Sequence, residues 1–318
     1  MLPRCITNEE VLSKLSYQEV VDVTEKAFLD ASVGKSRMPN KLYLDLPEYN
    51  GDFRAMPAYV ERYNVAGVKW VNSHLNNPKV GLPSVSATMI LNDPQTAVPL
   101  AIMEATALTA LRTGAAGAVS VKYLTLDDTL IVGCVGCGEQ AKYQLRCLVC
   151  VRKLERVMVF DISKKRAKIF ASEMQAELGV SIEIADNIKA CVCDVDVLIT
   201  TTPSVSPIVD YDCLGDHVLI NAIGADAVGK QELDPRILQE AYTVVDDLEQ
   251  AAHSGEIHQP IMLGDYSIAA VAGMLGDVVS GNLESRVEGI RVFDSTGLAI
   301  QDVALAGFVL REKMDVSV

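Results

Sequence analysis

Gly136-Cys137-Gly138-Glu139-Gln140-Ala141 stands directly after the apolar run TLIVGCV. A G-x-G-x-x-A turn that follows a strand and opens a helix is a dinucleotide fingerprint. The first glycine makes the tight turn, the second lets a pyrophosphate approach the backbone, and the small Ala141 lets helix and strand pack closely. The helix start, with Glu139 and Gln140, attracts phosphate charge. The next strand, RVMVFD, ends in Asp161, 25 residues after Gly136, where an acid binds the ribose 2′-hydroxyl. Its charge repels a 2′-phosphate, so NAD is expected rather than NADP. Lys164, Lys165 and Arg166 stand close by and temper that preference. Thr200, Thr201 and Thr202 end another apolar run before Pro203; their hydroxyls either line a cofactor crevice or cap a turn.

Lys69 is placed unusually, inside GVKWV. Strand alternation puts Gly67, Lys69 and Val71 on one face and Val68 and Trp70 on the other. Burial disfavours the ammonium and lowers its pKa, and such a lysine can exchange a proton with a substrate. The plain alternative is an edge-strand lysine that deters aggregation. Asp226 follows VLINAIG, whose last residues Ala222, Ile223 and Gly224 reach the edge of the sheet where a nicotinamide would lie. A carboxylate there can orient a water, or simply cap a helix. Ser295 and Thr296, after IRVFD, either meet the nicotinamide amide or cap the last helix.

The elements that must hold these residues are legible along the chain. Residues 8–34 carry apolar positions at helical spacing, with Asn8 as the expected cap and Gly34 as a stop. From Lys41 to Ile90 the runs KLYLDL, RAMPAYV, GVKWVNS and SVSATMIL predict an antiparallel, hairpin-rich sheet. Glu104–Leu124 predicts one or two Ala-rich helices, with Gly114 and Gly117 allowing close packing. After Asp128 the pattern alternates. Strands at TLIVGCV, RVMVFD, SIEIA, VDVLITT, HVLINAIG, TVVDD and IRVFDS are interleaved with helices at 140–151 and 164–178. That alternation predicts an α/β fold with a Rossmann-type doubly wound parallel sheet. A helix over 297–313 follows the last strand and is expected to return to the first domain.

The 318 residues suggest about two domains. Hydrophobic residues make up 49% of the chain, enough for a large core. The formal charge of −14 argues against nucleic acid and anionic lipid as partners. The first residues lack a signal-peptide core and no run is long enough to span a membrane, so a cytoplasmic protein with reduced thiols is expected. Among eight cysteines, Cys134-x2-Cys137 and Cys147-x2-Cys150 superficially imitate a zinc ribbon. A metal there would distort the phosphate turn that contains Cys137, so none is expected. Cys191 and Cys193 form a small apolar pair, His74 could line the site, and His253 and His258 lack a ligand pattern.

Taken together, RAMPAYV (54–60), GVKWVNSH (67–74), ALRTGAAGAVSVKYL (110–124), GCGEQA (136–141), NAIGADAVGKQELD (221–234) and VFDSTGLAIQD (292–302) resemble the ornithine cyclodeaminase/mu-crystallin family. The similarity runs from about Lys41 to the C-terminus, and LRTGAA and GAD-x-x-GK-x-EL carry its specificity. Within the family, the archaeal-type alanine dehydrogenase branch is the most similar. The resemblance implies a homodimer with a discontinuous α/β domain for substrate and dimerisation (1–124, with 297–318 returning to it) and an NAD-binding domain (125–296). It implies roles for Lys69, Arg112 and Asp226, and places Lys41 and Arg54 near a substrate carboxylate. Arg112 and Thr113 could alternatively face the cofactor, and a surface ion pair is the plain reading of Arg112. Members acting on ornithine carry Glu where this chain has Arg54. An anion there suits a distal ammonium; a cation suits a carboxylate, which guanidinium binds bidentately. The expected function is therefore reversible oxidative deamination of a short amino acid, L-alanine, to a 2-oxo acid (pyruvate) and ammonium. Ornithine cyclodeaminase, ketimine reductase and a mu-crystallin-like binding protein are the alternatives. Lys69 and Asp226 together speak against a purely binding role.

Overall fold

The computed structural model describes residues 3–314, and the chain divides into two compact units. One is built from the chain up to Arg112 and from Leu298 onward; the other runs from Thr113 to Gly297. The first cut falls inside a helix rather than at its end near residue 124. The reason is packing: the later turns of that helix lie against a neighbour in the second unit, with Gly114 against the Tyr143 backbone and Gly117 against Gln144.

The first unit holds β1 (Arg4–Ile6), β2 (Ser36–Arg37), β3 (Leu42–Leu46), β4 (Gly51–Val60), β5 (Val65–His74), β6 (Val85–Asn92) and β7 (Pro99–Glu104). They form one sheet in the order β1-β7-β6-β5-β4-β2, with β3 also paired to β4. The pairs from β3 to β7 are antiparallel. The β1–β7 pair is parallel, a contact between distant segments that no local pattern announces. Helices α1 (Asn8–Lys14) and α2 (Tyr17–Ser32) occupy the expected helical stretch. Asn8 is the first helical residue and not the cap. Thr7 and Ser16 cap the two helices, each completing a capping box with the glutamate three residues on, Glu10 and Glu19. That spacing satisfies donors at both ends of the box, which a lone Asn8 does not. The closing helix, Ala299–Phe308, packs on α2, β4 and β5. On the opposite face of the sheet Trp70 stacks on Phe53 at 5.2 Å, and Ile90 lies across from Ile102, the two isoleucines 43% and 37% exposed.

Helix α3 (Thr106–Leu124) carries the division between the units. The second unit holds β8 (Thr129–Val135), β9 (Lys153–Phe160), β10 (Ser181–Ile184), β11 (Val197–Thr200), β12 (Val205–Val209), β13 (Val218–Ala222), β14 (Gln231–Leu233), β15 (Tyr242–Val245), β16 (Gly273–Met274) and β17 (Ile290–Asp294). Eight of these form a parallel sheet in the order β10-β9-β8-β11-β13-β17-β15-β16, while β12 and β14 pair separately. Strand order reverses between β8 and β11, the place where doubly wound sheets open a ligand crevice. The apolar runs fall on β8, β11 and β13 at the centre, where strands covered on both faces need no polar alternation. Helices α4 (Glu139–Leu148) and α5 (Lys164–Leu178) follow β8 and β9. No helix among the described residues is long and apolar enough to cross a membrane.

Candidate active site

In the second unit, the glycine turn sits at the strand-order reversal. Gly136 has φ +98°, a conformation that glycine adopts without strain. A Cβ at Gly136 would lie 3.0–3.1 Å from atoms of Thr201 and Thr202. Thr201 donates its N–H to Val135 O at 3.0 Å and its hydroxyl to Gly136 O at 3.2 Å, so the threonines wall the turn. At Gly138 a Cβ would meet nothing within 4 Å. That open space, at the start of α4, is a cradle that a side chain would fill. Glu139 pairs with Lys142 at 2.8 Å, so its carboxylate lies along the helix surface. The helix start itself offers backbone N–H groups. Asp161 accepts from Cys137 N (3.0 Å) and Ser163 N (2.8 Å), with Arg166 Nη1 at 3.5 Å. A cleft of about 420 Å³ is lined by Gly138, Ser163, Lys165, Arg166 and Phe170, among others. Turn, open cradle, cleft and acid together fit a dinucleotide.

Further along the same edge, the N–H groups of Ile223 and Gly224 both reach Thr200 O, at 3.0 and 3.1 Å. Ser295 donates its N–H to the carbonyl of Ala222. The structure thus brings Thr200, Thr201, Thr202, Ala222, Ile223, Gly224 and Ser295 to one edge. The hydroxyls of Ser295 and Thr296 donate to Asp246, each at 3.2 Å, and the cap position of the closing helix is Leu298. Asp226 lies in the turn after β13 and pairs with Lys230 at 2.5 Å. Thr113 contributes its carbonyl, which accepts from Gln144 Nε2 at 2.9 Å.

In the first unit, Lys69 is fully buried on β5 between its cross-strand neighbours Met56 and Met89. Its Nζ lies 2.7 Å from Asp302 Oδ2 on the closing helix, and Arg112 Nε lies 3.1 Å from the other carboxylate oxygen. One buried carboxylate thus holds two cations. Burial pushes the Lys69 pKa down to about 7; Asp302 opposes this, while Arg112 and then Lys41 reinforce it. The edge-strand reading of Lys69 is therefore excluded. Arg112 is 5% exposed, which also excludes a surface ion pair. Arg54 pairs across β4 and β5 with Val71, two residues along from Lys69, and so shares its face of the sheet. Asp52 clasps Arg54 through two hydrogen bonds of 2.9 Å, so two of the guanidinium donors are already engaged. Gln301 accepts from Arg112 Nη1 at 3.4 Å and from Leu298 N at 3.3 Å. Its Nε2 is buried and has no acceptor among the described residues. A cluster of cations around one anion, with an unanswered donor beside it, can take a carboxylate.

Asp302, Gln301 and Asp52 were not singled out in the sequence, although Asp302 is the one charged residue of the closing helix, AIQDVALAGF. His74 bonds Asn72 and packs edge-on to Phe53. His253 and His258 meet edge to face. Cys134 and Cys147 are fully buried, and burial raises the thiols of Cys137 and Cys191 to about 12. Among the described residues no cluster of His, Cys, Asp or Glu could hold a metal.

Comparison with known proteins bears on the whole chain. Residues 3–316 match the ornithine cyclodeaminase/mu-crystallin family. Alanine dehydrogenase of Archaeoglobus fulgidus is 46% identical over 98% of this chain and 96% of its own. The solved structure of an archaeal alanine dehydrogenase dimer with bound NAD superposes with a TM-score of 0.93 at 46% identity, covering 99% of this chain and 97% of that one. Thermococcus litoralis Δ1-pyrroline-2-carboxylate reductase, solved with NADH and L-proline, gives 0.95 at 34% identity, covering 98% of both chains. The chain belongs to the ornithine cyclodeaminase/mu-crystallin family.

Proposed function

We propose that this NAD-dependent oxidoreductase is an amino-acid dehydrogenase that deaminates L-alanine reversibly to pyruvate and ammonium. The observation that carries the reading is the fully buried Lys69, with a pKa near 7, sharing Asp302 with Arg112. Bound NAD supplies the hydride acceptor, held by the Gly136–Gly138 turn, the start of α4 and Asp161. Arg112, Arg54, Lys41 and the Gln301 amide bind the substrate carboxylate. Loss of the Cα hydride from the neutral amine leaves an iminium ion, to which water adds. Asp226 orients that water. Neutral Lys69 accepts the hydroxyl proton as the C=O bond forms and ammonia leaves; in the reverse direction its ammonium returns the proton. A short substrate is favoured because a cation, Arg54, occupies the position where an acid would be needed to take a distal ammonium.

The same chemistry at a C=N bond would serve reduction of a cyclic imine, a second reading favoured by the likeness to the pyrroline-2-carboxylate reductase. We also infer a homodimer. The likeness to a dimeric dehydrogenase and the exposed Trp70, Ile90 and Ile102 on one sheet face support it. The deciding assay offers purified protein NAD with alanine, ornithine and proline in turn. Net NADH from alanine supports the proposal; ammonia from ornithine without net NADH, or turnover of proline alone, overturns it.

A further inference from the structure

Two carboxyl side chains that the proposed reaction does not use, Glu232 and Glu256, are fully buried in the second unit. Neither pairs with a cation among the described residues; both accept from backbone N–H groups, and the Thr202 and Thr200 side chains also meet Glu232. Glu232 Oε1 accepts from Thr202 N at 2.6 Å and its Oε2 from Gly224 N at 3.0 Å. Glu256 accepts in turn from Glu232 N at 3.0 Å and Leu233 N at 2.7 Å. The Glu232 carboxyl group therefore bridges the turns after β11 and β13. The bridge is tight: a Cβ on Gly224 would lie 2.5 Å from Glu232 Oε2 and would also strike the Thr202 carbonyl. Thr202 is in turn part of the wall against Gly136. Burial raises both carboxyl pKa values, that of Glu256 further because Glu232 and Asp294 add their negative charge. Carboxyl groups so costly to bury need a return beyond filling space, which an apolar side chain does more cheaply.

We propose that Glu232 is a positioning residue for the dinucleotide: its two oxygens hold the Thr202 and Gly224 backbones in register beside the glycine turn, and Glu256 fixes the Glu232 backbone from behind. The inference rests on the reading of this unit as the NAD-binding one. Glu232→Gln keeps the shape but turns an NH2 group toward one of the two N–H donors, so one turn must give way.

The test is a fluorescence titration of the full-length protein with NADH, alongside circular dichroism and steady-state kinetics. Wild type that fails to bind NADH overturns the cofactor reading and this proposal with it. With wild type binding, folded Glu232→Gln is expected to weaken NADH binding about tenfold and raise KM for NAD similarly, with kcat lowered less than about threefold. Unchanged affinity in that variant overturns the proposal alone. Should Glu232→Gln not fold, Glu256→Gln loosens the same brace from behind, at the Glu232 backbone, without touching either turn. A similar loss supports the inference, and wild-type affinity overturns it.

Discussion

Lys69 lies between two methionines with the Asp302 carboxylate at 2.7 Å, and its pKa near 7 gives the proposed reaction a definite pH dependence. Deamination uses the neutral amine, so its rate should rise with pH through about 7. Reductive amination uses the ammonium and should fall through the same value. Asp302 is what holds this pKa up against burial, so Asp302→Asn should move both limbs to lower pH. The check is kcat against pH in each direction. Limbs that stay in place in Asp302→Asn assign the titration to another group, as does their survival in Lys69→Ala. In the second unit, Asp161→Ala removes the charge that repels a 2′-phosphate and leaves Lys165 and Arg166 in the cleft. The ratio of kcat/KM for NADP over NAD should rise at least about tenfold, by the scale of one charge-assisted contact. An unchanged ratio removes Asp161 from ribose recognition.

Among the elements, the closing helix and the sheet of the first unit matter most. That helix is apolar apart from Gln301 and Asp302, and both project into the cluster with Arg112. It therefore contributes to packing and to electrostatics at once. On the sheet's other face, Ile90 and Ile102 lie directly across from each other on β6 and β7. A charge placed there should cost the monomer little, since both side chains are exposed, yet would be stranded in an interface. Ile90→Lys is expected to convert a dimer to a folded monomer in analytical ultracentrifugation. A variant that sediments as wild type would place the interface elsewhere.

For the molecule as a whole, cofactor binding should appear as stability. A ligand that binds only the folded state at about a hundred times its Kd adds about 2.7 kcal/mol. Saturating NAD is thus expected to raise Tm by several degrees. Gly138→Val is the informative control: the position has extended backbone and open space for a side chain, so the fold should survive while the phosphate cradle is filled. Its Tm without NAD should match wild type, and NAD should no longer raise it. A persisting NAD shift would mean the phosphates lie elsewhere. Gly136→Ala lacks this clarity, because φ +98° strains any side chain there.

The sequence alone carried much that depends on local order, although the caps of α1 and α2, themselves local, fell on Thr7 and Ser16 and not on Asn8. The glycine turn, Asp161 after the next strand, the central apolar strands and helix α5 all follow from short-range pattern, because a buried parallel strand or a phosphate turn needs particular residues within a few positions. Lys69 was marked for the same reason, as a charge inside an apolar run. Tertiary structure decided what pairs with what. The anion of Lys69 lies on a helix 233 residues away, and Glu232 meets Thr202 and Gly224 only after three chain segments have assembled. Asp302 carried a faint mark as the one charge of its helix; Glu232 stood inside the GAD-x-x-GK-x-EL motif, but without a role, since an acid in a polar stretch looks solvated until burial is known. Burial and charge pairing are sums over distant neighbours, and no window of sequence contains them.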